Sequence, residues 1–180
     1  MALLPIIIAP DPRLKIIAEP VEQVDYEIRQ LMDDMLETMY NAPGIGLAGP
    51  QVGSTKRVIV LDVHKDDEAE DSESKANPIR MANPEIIGVS DYDRTHDEGC
   101  LSLPEYYAEI DRPDTIRVRY LDENNETQEI DADELLATCI QHEIDHLDGI
   151  LFVDHITALK RNMILRKLTK MKKQTERKSA

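Results

Sequence analysis

The pattern of hydrophobic and polar positions predicts a helix on either side of a run of strands. From about Asp25 to Tyr40, apolar residues recur at helical spacing opposite an acidic face, which is typical of an amphipathic helix. A second long helix is predicted to begin near Asp131 or Asp133, either of which can cap it, and to stop at Gly149. The strands are therefore expected between these two helices.

Strand-like patterns fill most of the intervening chain. Strands are predicted at 57–63, 81–90, 106–110, 115–122 and 127–132, and the polar segment 64–78 is predicted to be a solvated loop. Four of the seven glycines lie between Gly44 and Gly53, which predicts a loop that turns sharply or approaches another group closely. This order of elements predicts an α+β fold with mainly antiparallel sheets around a central helix.

The end of the chain adds a basic C-terminal helix. Nine of the 21 Lys and Arg residues lie between Lys160 and Lys178, opposed only by Glu176, so this tail carries +8 and residues 1–159 carry −23. The acidic body should repel nucleic acid, whereas a basic tail can bind it, and no sequence-specific nucleic-acid binding is expected. Part of the tail is predicted to dock on the body through apolar residues at helical spacing, namely Leu159, Met163, Ile164, Leu168 and Met171. The last residues, from about Lys172, are predicted to fray.

Length and composition predict one domain over residues 1–180, with the basic helix or tail at about 158–180. No apolar run approaches the roughly 18 residues of a membrane span, and no basic stretch precedes the short apolar N-terminal segment. A cytoplasmic protein without membrane association is therefore predicted. The two cysteines, Cys100 and Cys139, are too few for a disulfide framework, so each is expected to be a free thiol or a metal ligand.

The predicted second helix contains the sequence His142-Glu143-x-x-His146. Residues four positions apart project from the same face of a helix, so the two imidazoles can converge on one metal ion with Glu143 beside them as a base. A metal lowers the pKa of water from about 15.7 to near 7, within reach of a carboxylate at neutral pH. This pattern indicates metal-assisted hydrolysis of a carbonyl compound.

The third ligand is not supplied by either common protease arrangement of this motif. The metzincin pattern requires a histidine where Phe152 stands, and the thermolysin-like pattern requires a downstream glutamate, but only Glu176 in the basic tail follows. Cysteine is the remaining candidate. Cys139 and His146 are about 10 Å apart along a helix axis, so Cys139 is predicted to pack beside the site. Cys100 is the predicted ligand, with a buried free thiol as the alternative.

A site with three protein ligands leaves one position open, as catalytic metal sites do. The oxyanion that develops during hydrolysis needs hydrogen-bond donors. Gln51 can supply an amide N–H, although a surface glutamine is the alternative for this residue taken alone, and a backbone N–H just after Cys100 is a second candidate. A metalloprotease and a ribosome-associated binding module without catalysis are the competing classes.

Three segments together resemble the motifs of peptide deformylase. They are GIGLAGPQVG at 44–53, EGCLSLP at 98–104 and QHEIDHLDG at 141–149, and the resemblance extends over nearly the whole chain. It implies a hydrolase that removes the formyl group from N-formylmethionine at the start of newly made polypeptides and releases formate. The chain departs from the family pattern at Gly49, where the family usually has Ala, and at Tyr107, where some members have Arg.

The resemblance also implies roles for individual residues. Cys100, His142 and His146 would bind one divalent metal ion, expected to be Fe²⁺, for which Zn²⁺, Ni²⁺ or Co²⁺ can substitute. Glu143 would be the general base and later the proton donor. The oxyanion would be held by Gln51 and the backbone N–H of Leu101. The substrate would be bound by Gly44, Ile45, Gly46, Leu135, Thr138 and Cys139, with Gly46 hydrogen-bonding its backbone.

The predicted partners follow from the same resemblance. Formyl-methionyl nascent peptides would be the substrate, and the basic C-terminal helix could contact the ribosome. The alternative for this helix is that its basic residues stabilise its own C-terminal end.

Overall fold

The computed structural model describes residues 2–63 and 76–178 of the chain. Within these residues there are three α-helices and seven β-strands. The helices are α1 (Tyr26–Asn41), α2 (Glu134–Leu147) and α3 (Ala158–Lys178). The strands are β1 (Gly46–Ala48), β2 (Val58–Leu61), β3 (Ile79–Val89), β4 (Asp93–Cys100), β5 (Leu103–Pro113), β6 (Thr115–Leu121) and β7 (Thr127–Asp133). The predicted α+β class is confirmed.

All strand pairs are antiparallel and form two sheets. The larger sheet has the order β1-β2-β3-β6-β7, and β4 and β5 form a separate hairpin. Helix α2 contacts strands of both sheets. The helix that carries the HExxH sequence therefore packs against strands of both sheets.

The core lies on both faces of the larger sheet. Val58 and Val60 of β2 pack in the cluster that contains the buried methionines of α1, while Ile59 and Leu61 pack in the cluster that contains Ile140 of α2. Successive side chains of a strand point to opposite faces, and both faces of β2 are covered by one of these clusters. All four residues of this strand are therefore buried. The sheet is thus covered by α1 on one face and by α2 on the other.

Both predicted helix starts are confirmed. The carboxylate of Asp25 accepts a hydrogen bond of 3.0 Å from the backbone N–H of Ile28, as an N-cap does. Of the two candidate caps for α2, Asp133 is the residue that precedes the helix. The predicted strands at 57–63, 81–90, 115–122 and 127–132 correspond to β2, β3, β6 and β7, and most of the predicted loop at 64–78 lies outside the described residues.

The structure adds to the sequence prediction at two places. The glycine-rich segment is not only a loop, because it contains β1 and a short 3-10 helix at Gly49–Val52. The strand predicted at 106–110 is part of the longer β5, and its partner β4 was not predicted at all. Strand β4 has no buried apolar side chain, since Glu98 is its one buried residue and this carboxylate is paired with Arg112 and His142.

Helix α3 docks on the body through fewer residues than the sequence predicted. Ile164 and Leu168 are buried, in one cluster with Phe152. Leu159, Met163 and Met171 are exposed, and the helix continues to Lys178 instead of fraying near Lys172. None of the described helices is both long enough and apolar enough to cross a membrane.

Candidate active site

The three predicted metal ligands converge between α2 and the end of β4. The donor atoms of Cys100, His142 and His146 all lie within 4.8 Å of one another, and Cys100 Sγ is 3.2 Å from His146 Nε2. The two histidines are one helical turn apart and buried, and a register irregularity of the hairpin falls between Gly99 and Cys100. One thiolate and two imidazoles are ligands that divalent transition metals prefer, so this donor set fits such an ion.

The orientation of His142 is set by an ion pair that the sequence analysis did not identify. His142 Nδ1 is 2.8 Å from Glu98 Oε2, which leaves Nε2 free to face the other two ligands. Arg112 donates two hydrogen bonds to the Glu98 carboxylate, and both residues are buried. A hydrogen bond of this kind fixes the tautomer of a metal-binding histidine and increases its basicity.

The ion pair keeps Glu98 ionised. Burial alone would raise the pKa of this carboxyl group, but the hydrogen bonds from His142 and Arg112 outweigh that effect and hold its pKa at about 2. Glu98 can therefore accept hydrogen bonds at any pH at which the protein is expected to work. The hydrogen bonds among charged groups continue from His142 and Glu98 to two further residues. Arg112 Nη1 donates to Asp145 Oδ2 at 2.9 Å, and His155 Nε2 is 2.7 Å from the same oxygen.

Glu143 is buried beside the predicted metal ligands. Its Oε2 atom has no hydrogen-bond partner among the described residues, and the residue lines the neighbouring cavity. Burial raises the pKa of this carboxyl group to about 7, an effect that the positive charge of a protonated His142 would oppose. A carboxyl group with a pKa near neutrality can both take a proton and return it, as a general acid–base catalyst must.

Gln51 is not a surface residue, which removes the alternative considered for it. The side chain is 1% exposed, and its Oε1 accepts a hydrogen bond of 2.8 Å from the backbone N–H of Ala48. The amide Nε2 is thereby directed to Cys100 Sγ at 3.6 Å and to the buried Ser102 Oγ at 3.2 Å. The side chain presents an N–H donor next to the predicted metal ligand. Ser102 was not identified from the sequence.

Two glycines in the glycine-rich segment have no room for a side chain. A Cβ atom at Gly46 would lie 2.8 Å from Cys139 Sγ and would also overlap with Glu143 Oε1. Only glycine allows β1 to approach α2 this closely at the site. At Gly49 a Cβ atom would lie 2.6 Å from the carbonyl oxygen of Lys56, so the backbone found here does not accommodate an alanine at this position.

A cavity of about 500 Å³ adjoins the cluster of metal ligands. The lining includes Gln51, Leu101, Glu143 and all six residues that the resemblance assigns to substrate binding, namely Gly44, Ile45, Gly46, Leu135, Thr138 and Cys139. Leu135 is half-exposed at the rim, whereas Cys139 is buried, and burial raises the pKa of its thiol well above the usual value. A neutral thiol packed in the wall agrees with the prediction that Cys139 is not a ligand.

The structure adds cavity residues that the sequence analysis did not single out. His96 and Glu98 of β4 and Leu103 and Tyr106 of β5 belong to the lining, and the exposed Tyr107 lies against Gly99. The sequence pattern that could have identified the β4 residues is the alternation of Arg94, His96 and Glu98, which places all three side chains on one face of a strand.

Comparison with protein families gives one match across most of the chain. Residues 3–162 match the family model described as polypeptide deformylase. The chain is 57% identical over 173 residues to a protein named peptide deformylase from Methylocella silvestris, covering 96% of this chain and 87% of that one.

Solved structures show the same similarity in three dimensions. A crystal structure of peptide deformylase from Ehrlichia chaffeensis aligns with a TM-score of 0.89 and 39% sequence identity, covering 97% of this chain and 99% of that one. A second crystal structure of the enzyme from Ehrlichia chaffeensis, in complex with actinonin, aligns with a TM-score of 0.87 and 43% identity, covering 95% and 98% of the two chains.

Proposed function

The chain belongs to the polypeptide deformylase family, and we propose that it removes the formyl group from N-formylmethionine at the N-terminus of newly synthesised polypeptides, releasing formate. The observation that carries this proposal is the convergence of Cys100, His142 and His146 beside Glu143 at the wall of one cavity. Residues 1–180 would act as a single catalytic domain, since the cluster that anchors α3 also includes residues from the start of the chain and from β5.

Cys100, His142 and His146 would hold one divalent metal ion. Such an ion supplies Lewis acidity, which polarises a carbonyl oxygen and makes water more acidic. Fe²⁺ is the expected ion, and Zn²⁺, Ni²⁺ or Co²⁺ could replace it, because the affinity order of such ligands favours the later metals and occupancy then depends on supply.

Glu143 performs the proton transfers of the proposed reaction. It takes the proton of the water that attacks the formyl carbon, and it returns that proton to the amine nitrogen as the C–N bond breaks. Gln51 Nε2 and the backbone N–H of Leu101 donate hydrogen bonds to the oxygen on which negative charge develops. The burial of Glu143 and its pKa of about 7 support this assignment.

The cavity walls bind and orient the substrate. Gly46 at the start of β1 presents its backbone to the substrate chain, and the absence of a side chain there keeps the space next to Glu143 open. The methionine side chain would lie against Ile45, Leu135, Thr138 and Cys139, with Gly44 at the cavity wall. Holding the formyl group next to the base and the oxyanion donors in this way lowers the entropic cost of reaction.

Formate release tests the proposed function directly. The protein purified under anaerobic conditions with Fe²⁺ should release formate from formyl-Met-Ala-Ser, and acetyl-Met-Ala-Ser should release far less acetate, because the extra methyl group has to fit where the formyl hydrogen lies. Formate can be measured with a coupled dehydrogenase. Cleavage of an internal peptide bond without formate release would contradict the proposal and favour a metalloprotease.

The reaction would take place in the cytoplasm. The proposed substrate is the N-terminus of a growing polypeptide, and a thiolate ligand such as Cys100 persists in a reducing compartment. Both cysteines are free thiols in the structure, which agrees with this location.

We further propose that α3 contacts ribosomal RNA. Arg166, Lys170 and Lys173 project from one exposed face of this helix, while Ile164 and Leu168 hold the opposite face against the body. A charge pattern of this kind binds a phosphate backbone without reading its sequence.

Reversing three charges on α3 should separate ribosome binding from catalysis. The triple variant Arg166→Glu, Lys170→Glu and Lys173→Glu is expected to bind ribosomes about tenfold more weakly or worse, since each removes a phosphate contact and adds repulsion. Co-sedimentation with ribosomes at 50 and 200 mM salt measures this, with formate release from formyl-Met-Ala-Ser as the control for folding. Equal co-sedimentation of both proteins at each salt concentration would contradict the proposal.

A further inference from the structure

Ser102 is a buried hydroxyl residue beside the proposed oxyanion donor, and the proposed mechanism gives it no role. It lies in the turn between β4 and β5, two residues after Cys100, and it is 0% exposed. Gln51 Nε2 donates a hydrogen bond of 3.2 Å to Ser102 Oγ. Ser102 is not among the described residues that line the cavity, so any effect on the reaction has to be transmitted through a neighbour.

The amide group of Gln51 has its oxygen end fixed by the backbone. Oε1 accepts a hydrogen bond of 2.8 Å from the N–H of Ala48, a contact that the NH2 end of the amide cannot make. The NH2 group is therefore on the opposite side, with two N–H bonds to direct. Ser102 Oγ accepts from this nitrogen, and Cys100 Sγ lies 3.6 Å from it. With one N–H engaged by Ser102, the other is directed toward the predicted metal ligands.

The contact with Ser102 restricts a rotation that the contact with Ala48 leaves open. The terminal torsion of a glutamine side chain is broad, so one hydrogen bond at Oε1 does not fix the plane of the amide. A second hydrogen bond at Nε2 does so. A donor that already points to where negative charge develops stabilises a transition state without the cost of reorienting during the reaction.

The backbones of Gln51 and Ser102 are held by the same short segment of the chain. The N–H of Ile7 donates to the carbonyl oxygen of Gln51 at 2.8 Å, and the N–H of Ala9 donates to that of Ser102 at 2.9 Å. Ile7 and Ala9 are both buried. Because residues two positions apart connect the two backbones, the separation of the Gln51 and Ser102 side chains is set by backbone geometry.

We propose that Ser102 is a positioning residue for the oxyanion donor. Its hydroxyl oxygen holds one N–H of Gln51, so that the other N–H is available to the oxygen on which negative charge develops. This inference rests on the proposed function and assigns a further residue to the support of the same site. Loss of the hydroxyl group should slow the chemical step, while the binding of the substrate and of the metal ion should stay unchanged.

A double-mutant cycle of Ser102→Ala and Gln51→Ala tests whether the effect of Ser102 is transmitted through Gln51. Ser102→Ala is expected to lower kcat for formate release about tenfold at unchanged KM, the upper end of what one neutral hydrogen bond contributes. Gln51→Ala is expected to lower kcat about 10²- to 10³-fold, the usual cost of losing an oxyanion donor.

The decisive comparison is the effect of Ser102→Ala in the protein that already carries Gln51→Ala. No further loss of kcat is expected there, because the side chain that Ser102 positions is absent and coupled residues are not additive. A purely structural role of Ser102 would lower kcat by the same factor in both backgrounds. Ser102→Gly also removes the hydroxyl group and takes the place of the alanine variant in the cycle if that variant does not fold.

Ser54→Ala is the matched control, because it removes a hydroxyl group three residues after Gln51. Ser54 Oγ accepts a hydrogen bond of 3.2 Å from the backbone N–H of Lys56 and is not part of the described cavity lining, so kcat should stay unchanged. The metal content of every variant, measured in parallel, should equal that of the unmodified protein.

Three results would overturn the inference while the unmodified protein still releases formate. They are an unchanged kcat in Ser102→Ala, an equal loss in both backgrounds of the cycle, and a loss of metal from Ser102→Ala together with its activity. Absence of formate release by the unmodified, metal-loaded protein would instead overturn the proposed function on which the inference rests.

Discussion

Replacement of Glu143 by glutamine or alanine is expected to lower kcat for formate release by about 10²- to 10⁴-fold, the usual contribution of a general acid–base group. The carboxyl group is buried, its Oε2 has no partner among the described residues, and its pKa is raised to about 7. Glutamine has the same shape but cannot take a proton. The proposed reaction would therefore lose its proton carrier while its binding site stays intact.

The measurement pairs steady-state kinetics with metal analysis. Both Glu143 variants should retain their metal ion, because Glu143 is not among the three residues whose donor atoms converge. Glu109→Gln is a suitable control, since this carboxylate is exposed on the hairpin, at the position opposite Asp97 in the strand register. Full activity of Glu143→Ala would refute the proposed mechanism, and loss of metal together with activity would reassign Glu143 to metal binding.

Replacement of Cys100 by serine is expected to abolish tight metal binding. A hydroxyl group is a harder and weaker donor than a thiolate. Loss of a residue that only hydrogen-bonds to a metal ligand lowers metal affinity by up to about 100-fold, so loss of the ligand itself should lower the metal affinity by more than that. The formate-releasing activity should fall with it. The metal content of protein purified under anaerobic conditions, and its retention against a chelator, measure the effect.

The second cysteine supplies a matched control. Cys139→Ser makes the same chemical change in a residue that lines the cavity with a neutral, buried thiol, so it should retain the metal ion. Glu98→Gln should lie between the two, with affinity about 10- to 100-fold lower, because it weakens the support of His142 without removing a ligand. Unchanged metal content in Cys100→Ser, or equal loss in both cysteine variants, would overturn the ligand assignment.

The elements that the sequence predicted correctly are those with a buried apolar face. Helix α1 buries Met32, Met35 and Met39 from one side, and β2 consists entirely of buried aliphatic residues. Periodicity reports such faces because it is a local property of the chain. Strand β4 was missed for the opposite reason. Its one buried side chain, Glu98, is charged, and the groups that neutralise it come from other elements, Arg112 from β5 and His142 from α2.

Helix α3 shows a different limit of the same reasoning. Its apolar spacing predicted docking through five residues, but only Ile164 and Leu168 are buried. Helical spacing identifies the side of a helix that can be buried, while the extent of burial depends on how much surface the body offers. The exposed remainder, together with the basic residues, is the part of the helix to which ribosome contact is assigned as a proposal.

By itself the sequence determined that two candidate ligands and the candidate base lie together on one helix. The spacing of His142 and His146 places both imidazoles on one face of any helix with Glu143 beside them, and the distance along the helix axis separates Cys139 from His146. These conclusions concern residues within about two turns of one element, whose relative positions are fixed by local backbone geometry.

Only the tertiary structure decided how that site is supported and shaped. The row of paired groups from His142 through Glu98, Arg112 and Asp145 to His155 joins α2 to both strands of the hairpin and to the segment after the helix. The same packing places His96 and Thr138 in the wall of one cavity. Such contacts depend on how the β4–β5 hairpin lies along α2, and the free energy that selects this arrangement comes from many long-range contacts that no local pattern records.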